Sequence, residues 1–148
     1  MSETNKELAR RWIEELWNEQ RLELVDELHA EDYVRHHDSD GGAGREHYKA
    51  HISNVVKLLP DGHCEIEHMV AEGDTVVMRI TVTGTHEGAY GDVEPTGRPI
   101  EFQAFELLRF VDGQIQESWH SYDRLSLLEQ MGAAKGIQFA DAVRKTSA

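Results

Sequence analysis

One cysteine, three prolines and an aromatic content of 7% are the scarcities of this 148-residue chain. A single thiol, Cys64, cannot close an internal bridge, so a disulfide framework is excluded and a reducing compartment is expected. Cys64 sits beside Glu65 and Glu67, whose charge opposes thiolate formation, so a structural thiol is expected and not a nucleophile. Basic residues are also scarce: 15 Lys and Arg stand against 28 Asp and Glu, for a net charge of −13. Sequence-independent nucleic-acid binding runs on clustered cations and is therefore not expected. The acid excess fits either a salt-adapted source or simply a soluble acidic surface. No run approaches the 18 or so apolar residues of a membrane span, and Met1 to Glu7 holds no apolar core before a cleavage site. A cytoplasmic protein is expected.

What the chain does have is enough length for one domain with a sizeable core. Thr4 followed by Glu7 is a capping box that opens a helix carrying Leu8, Trp12, Ile13, Leu16 and Trp17. After a break at 18–20, a shorter helix continues through Leu24, Val25 and Leu28. A short strand is expected over 32–37, then a turn at 38–44. That turn starts like a calcium loop at Asp38 but lacks the later ligands. A third helix places Tyr48, Ile52, Val55, Val56 and Leu59 on one face and stops at Pro60-Asp61-Gly62.

From Cys64 the apolar period changes from 3.6 to 2. Strands are expected over 64–71, 75–85, 100–110 and 115–123. Glu72-Gly73-Asp74 and Val111-Asp112-Gly113-Gln114 are the turns of two hairpins. Between the hairpins, 84–99 is a long loop of the kind that is usually functional or mobile. Leu125, Leu127, Leu128 and Met131 mark a final helix closed by Gly132, with 133–148 as a tail after a domain spanning 1–132. Helices at the front and strands at the back make an α+β domain, a curved sheet covered by helices on its concave side. Such a cone opens at one mouth, where pockets form.

Polar residues among apolar strand positions are the candidates for chemistry. Strict alternation along 115–123 puts Ile115, Glu117, Trp119, Ser121 and Asp123 on one face and Gln116, Ser118, His120 and Tyr122 on the other. On the Trp119 face, Asp123 would be a desolvated carboxylate able to take and return a proton. Asp123 also immediately precedes the last helix and can serve as its N-cap. His36 shares a face with the apolar Val34, which makes it, and not His37, the inward histidine. His47 and His51 stand four apart on a helix without the Glu of a zinc-protease motif, so solvated residues are expected there and not a metal. There is no phosphate loop, nucleophile elbow or Cys-x-x-Cys pair.

Several phrases resemble one family. They are Tyr33-Val34-Arg35-His36, Pro60-Asp61-Gly62, Glu72-Gly73-Asp74-Thr75-Val76-Val77, Gly84-Thr85-His86-Glu87-Gly88, Pro95-Thr96-Gly97-Arg98, Arg109 to Ile115, Glu117-Ser118-Trp119 and Tyr122 to Gly132. Together they resemble the SnoaL-like polyketide cyclases, or ester cyclases, of the nuclear-transport-factor-like superfamily. The resemblance implies a cystatin-like cone that forms homodimers or homotetramers through the outer sheet face. It implies intramolecular aldol closure of a small apolar carbonyl substrate without metal or cofactor, driven by an aspartate at the end of the last strand. On that reading Asp123 is the general acid/base and His36 its catalytic companion, with Trp119 and His86 shaping the pocket. The family's second catalytic residue is a histidine on the preceding strand. None lies between Ile100 and Phe110, so Gln103 or Arg109 is the donor expected in its place. The alternative is a non-catalytic small-molecule binding or dimerisation domain on the same cone.

Overall fold

The computed structural model describes residues 2–37 and 41–134. Positions 38–40 of the turn expected at 38–44 and most of the expected tail lie outside the described residues. Helix α1 (Ser2–Arg11) runs into a π-helix over Trp12–Asn18, followed by α2 (Leu24–Leu28) and α3 (Arg45–Leu58). The strands are β1 (His29–His36), β2 (Gly42–Ala43), β3 (His63–Glu72), β4 (Thr75–Thr85), β5 (Pro99–Val111) and β6 (Gln114–Tyr122), before α4 (Arg124–Gln130). The six strands form one mixed sheet in the order β2-β1-β6-β5-β4-β3. Only the β1–β6 pairing is parallel; β3, β4, β5 and β6 form an antiparallel meander. The architecture is the expected α+β cone.

The hairpin turns follow from their residues. Asp112 and Gly113 both adopt positive φ, 49° and 78°, which is the twist that a two-residue turn between right-handed strands demands. Helices α1, α2 and α3 and the π-helix bury their apolar stripes against inward side chains of β4, β5 and β6. Ala9, Trp12, Ile13, Leu16, Tyr48 and Ile52 meet Val76, Met78, Ile80, Leu108, Phe110 and Ile115 in one core. The π-helix matters for the interior because its i→i+5 bonding lines up residues five apart. Trp12 and Trp17 are such a pair, with ring centroids 6.2 Å apart in an edge-on contact, and both face the inside of the cone.

Two observations correct the strand reading. β1 starts at His29, earlier than expected, and alternates Tyr33 and Arg35 inward with Val34 and His36 outward. On β6 the register slips by one residue: Phe110 pairs with Ile115, but Arg109 pairs with Glu117. Gln116 is thus the extra residue of a bulge, and a bulge reverses the facing of everything beyond it. Ile115 is buried inward, yet so are Ser118 and, further along, His120 and Tyr122, while Trp119 is outward and 40% exposed. Alternation counted from Ile115 assigns the wrong face to residues 117–122 of this strand.

Candidate active site

The concave face and the helices over it line an open-mouthed cavity of about 560 Å³. Its walls are mostly apolar or aromatic, with Trp12 and Trp17 from the π-helix, Tyr48 and Val55 from α3, and Ile80 and Phe102 from the sheet. A cavity of this kind with a few convergent polar groups is where a small ligand binds. Gln20, His47, His51, Asn54 and His63 lie elsewhere on the lining, while four polar groups come from adjacent positions of β1, β6 and β5, namely Arg35, Ser118, His120 and Glu106. The register explains their convergence, since Arg35 lies opposite Ser118, and His120 lies opposite Glu106.

His120 and Glu106 are hydrogen-bonded through His120 Nδ1 and a Glu106 carboxylate oxygen. Their side chains are only 17% and 12% exposed. With Nδ1 held by the carboxylate, Nε2 is the nitrogen left to serve the cavity. Beside this pair the Ser118 and Tyr33 hydroxyls are hydrogen-bonded to each other. Burial raises the Tyr33 and Tyr48 phenols well above the ordinary range, so both are neutral donors. Cys64 also lines the cavity, where burial first and the Glu106 charge second push its thiol up to about 12. It is a protonated wall group at neutral pH, a structural thiol as expected, but for a different reason: burial and Glu106 hold it there, and not the adjacent Glu65 and Glu67. Behind the site, His29 is fully buried: Trp12 Nε1 donates to its Nε2 at 3.1 Å, and its Nδ1 donates to the Val25 carbonyl at 3.1 Å. Burial depresses it to about 4, so it is a neutral core residue.

The residues singled out from the sequence are placed elsewhere. Asp123 is an exposed N-cap of α4, where its carboxylate accepts from the Ser126 amide at 3.0 Å. His36 and Trp119 stack on the outer face with centroids 4.6 Å apart, and His36 Nε2 meets Glu117 at 2.9 Å. Arg109 also bonds Glu117 there, its Nε at 3.1 Å. The structure therefore brings His36, Trp119 and Arg109 together, but on the convex side and not in the cavity. Gln103 is exposed on the same side. His86 is wholly buried in the stem of the loop, its Nδ1 accepting from the Thr96 amide at 3.2 Å. None of the six lines the cavity.

Glu106 and His120, the hydrogen-bonded pair in the cavity wall, were not among the candidates read from the sequence. Glu106 is the one charged residue in the inward row Ile100, Phe102, Ala104, Glu106, Leu108 and Phe110, a signal present in the sequence. His120 was hidden by the bulge. His47 and His51 also reach the cavity wall, but among the described residues no three His, Cys, Asp or Glu side chains are grouped to hold a metal ion. No described helix is long and apolar enough to cross a membrane.

Comparison with known proteins gives the family. The profile of the SnoaL-like polyketide cyclases matches residues 7–131, and the chain belongs to that family. Among solved structures, AclR of Streptomyces galilaeus, a candidate hydroxylase, superposes with a TM-score of 0.84 at 27% identity, over 99% of this chain and 92% of its own. IdmH of Streptomyces antibioticus, a candidate polyketide cyclase, gives 0.74 at 30% identity over 86% and 98%. A candidate polyketide cyclase of Bacillus cereus gives 0.74 at 31% identity over 89% and 83%. No curated protein matches the sequence.

Proposed function

We propose that the protein is a cyclase or isomerase acting on a small apolar carbonyl compound by general acid/base catalysis, with His120 as the base. The observation that carries this reading is the His120–Glu106 pair in the wall of the cavity. The resemblance to the family implies a carboxylate on the last strand and a histidine on the one before it. Here the same two residue types face each other with the strands exchanged. Glu106 holds the ring through Nδ1, which fixes the tautomer that leaves Nε2 as acceptor and stabilises the imidazolium once formed. Nε2 takes a proton from a carbon flanked by carbonyl, the electron pair moves onto the carbonyl oxygen, and the enolate carbon attacks a second carbonyl of the same molecule. The imidazolium then returns its proton to the new alkoxide.

A bicyclic ketone with acidic hydrogens, 2-tetralone, tests this without the natural substrate. Deuterium incorporation at its C1 from heavy water is followed by NMR. His120→Gln is expected to lower the enzyme-dependent rate by about 10²- to 10⁴-fold, the usual worth of a positioned base. Asp123→Asn is expected to leave it intact. The reverse outcome makes Asp123 the base, and no exchange by the native protein favours the binding-domain reading.

We also infer that two copies associate through the convex face. Val70, Val77, Leu107, Trp119 and His36 pair in sequence across five strands, forming one largely apolar row. Val70, Phe105 and Trp119 are 63%, 51% and 40% exposed on this side, an apolar surface of the kind that marks association.

A further inference from the structure

Taking a proton from carbon places negative charge on oxygen, and a donor aimed at that oxygen is a separate requirement from the base. Tyr122 is two residues beyond His120 on the same inward face of β6. The two rings lie 5.2 Å apart, centroid to centroid, and both line the cavity. The Tyr122 phenol is polarised from outside the cavity: Arg124 Nε donates to its oxygen at 3.1 Å, and the guanidinium carbon lies 5.5 Å from the ring centroid. The same oxygen is 2.8 Å from the hydroxyl of Tyr90.

Tyr90 belongs to the tip of the 86–98 loop, where Ala89, Tyr90 and Gly91 form part of the cavity wall. The stem of that loop is pinned. His86 N bonds the Arg98 carbonyl and Gly97 N bonds the His86 carbonyl, each at 2.9 Å. Gly88 is pressed so closely on α3 that a Cβ there would sit 2.1 Å from the Lys57 carbonyl oxygen. The tip meets β6 through the two phenols. A hydrogen bond between phenols is exchanged at little cost for one to a carbonyl oxygen, since donor and acceptor types are kept.

We propose that Tyr122 is a further catalytic residue: its hydroxyl donates to the substrate carbonyl oxygen that becomes the enolate, giving up the Tyr90 oxygen for it when the ligand enters. The ligand class is a ketone or 1,3-dicarbonyl whose oxygen and acidic carbon fall between Tyr122 and His120. The carbon-bound proton goes to His120, the electron pair to the oxygen bonded by Tyr122, and the phenol keeps its proton. Arg124 acts through Tyr122 as a positioning residue. This inference rests on His120 being the base.

The test is binding and not turnover. The native protein is titrated with 2-tetralone and with tetralin, the same skeleton without the carbonyl, by quenching of its tryptophan fluorescence. The carbonyl stretch of bound, carbon-13-labelled 2-tetralone is read by infrared difference spectroscopy. A preference for the ketone of about tenfold, the worth of one hydrogen bond, is expected together with a carbonyl stretch moved to lower frequency. Tyr122→Phe is expected to abolish both, and Tyr90→Phe to keep both. Arg124→Gln is expected to reduce the frequency shift while binding persists, which a merely structural role for Tyr122 would not produce and which stands even where Tyr122→Phe folds poorly. A shift lost in Tyr90→Phe and kept in Tyr122→Phe overturns the proposal, as does a native protein that binds tetralin as well as the ketone. His120→Gln is expected to retain the shift while losing deuterium exchange, so failure of the base and failure of the donor give different results.

Discussion

The two faces of the sheet each carry a histidine hydrogen-bonded to a glutamate, and the pairs differ in almost everything except composition. His36–Glu117 lies on the convex face with side chains 42% and 27% exposed, next to Trp119 and Arg109. His120–Glu106 lies in the cone under the helices, 17% and 12% exposed. On the outside, water screens the charges, and Glu117 is held below the usual carboxylate range by Arg109 first and His36 second, so it is a fixed anion. Inside, the same two side chains sit largely out of water, where each partial charge is worth more. A histidine-carboxylate pair is thus an ordinary surface contact or, on the function proposed above, acid/base machinery, according to which way its strand faces.

The sharpest way to break the comparison is to remove each imidazole in turn. His120→Gln is expected to cost about two to four orders of magnitude in deuterium exchange into 2-tetralone, whereas His36→Gln changes that rate less than about twofold. Equal losses would erase the distinction between the faces.

A second measurement asks how dry the interior is. His29 is held at about 4 by burial, below its ordinary 6.5. Above 6.5 neither state binds the proton. As pH falls from 6.5 to 4, the unfolded chain binds it and the folded chain does not, so stability falls by up to about 3 kcal/mol across that window. Urea unfolding at pH 7.5 and 4.5 measures the drop, and His29→Gln is expected to flatten that part of it.

Asp123 contributes to the fold as a cap. Asp123→Ala is expected to lower stability by about 1 kcal/mol in denaturant unfolding. The smallest effect on the isolated fold belongs to the convex face. Trp119→Glu is expected to leave the melting midpoint nearly unchanged at dilute concentration, while sedimentation shifts from dimer to monomer.

Much of the fold was legible because its signals are local. The change of period at Cys64 and the Asp112-Gly113 turn each act over a few residues and led to the observed elements, whereas the Thr4–Glu7 capping box marked the first helix but not its start, which is at Ser2 with Thr4 inside the helix. The family phrases were legible for the same reason. The site was less so, since it depends on which face each strand shows. On β1, the apolar Val34 suggested that its face was the inner one, but the buried neighbours are Tyr33 and Arg35. On β6, alternation from Ile115 failed at Gln116, because a bulge arises from pairing with β5 and leaves no mark in β6 alone. Glu106 needed no such information: a lone acid in an apolar row was visible and pointed inward.

The bulge at Gln116 takes up one position of slack in β6. Beyond it the strand is tied to β5, Glu117 opposite Arg109 and Ser118 opposite Leu108, so deleting the extra residue would straighten the strand and leave Ser118, His120 and Tyr122 facing the cone. Closing the bulge with every residue kept would instead turn Glu117, Trp119 and Ser121 inward and His120 out. Register with β5, and not the number of residues in β6, therefore decides which side chains meet the interior.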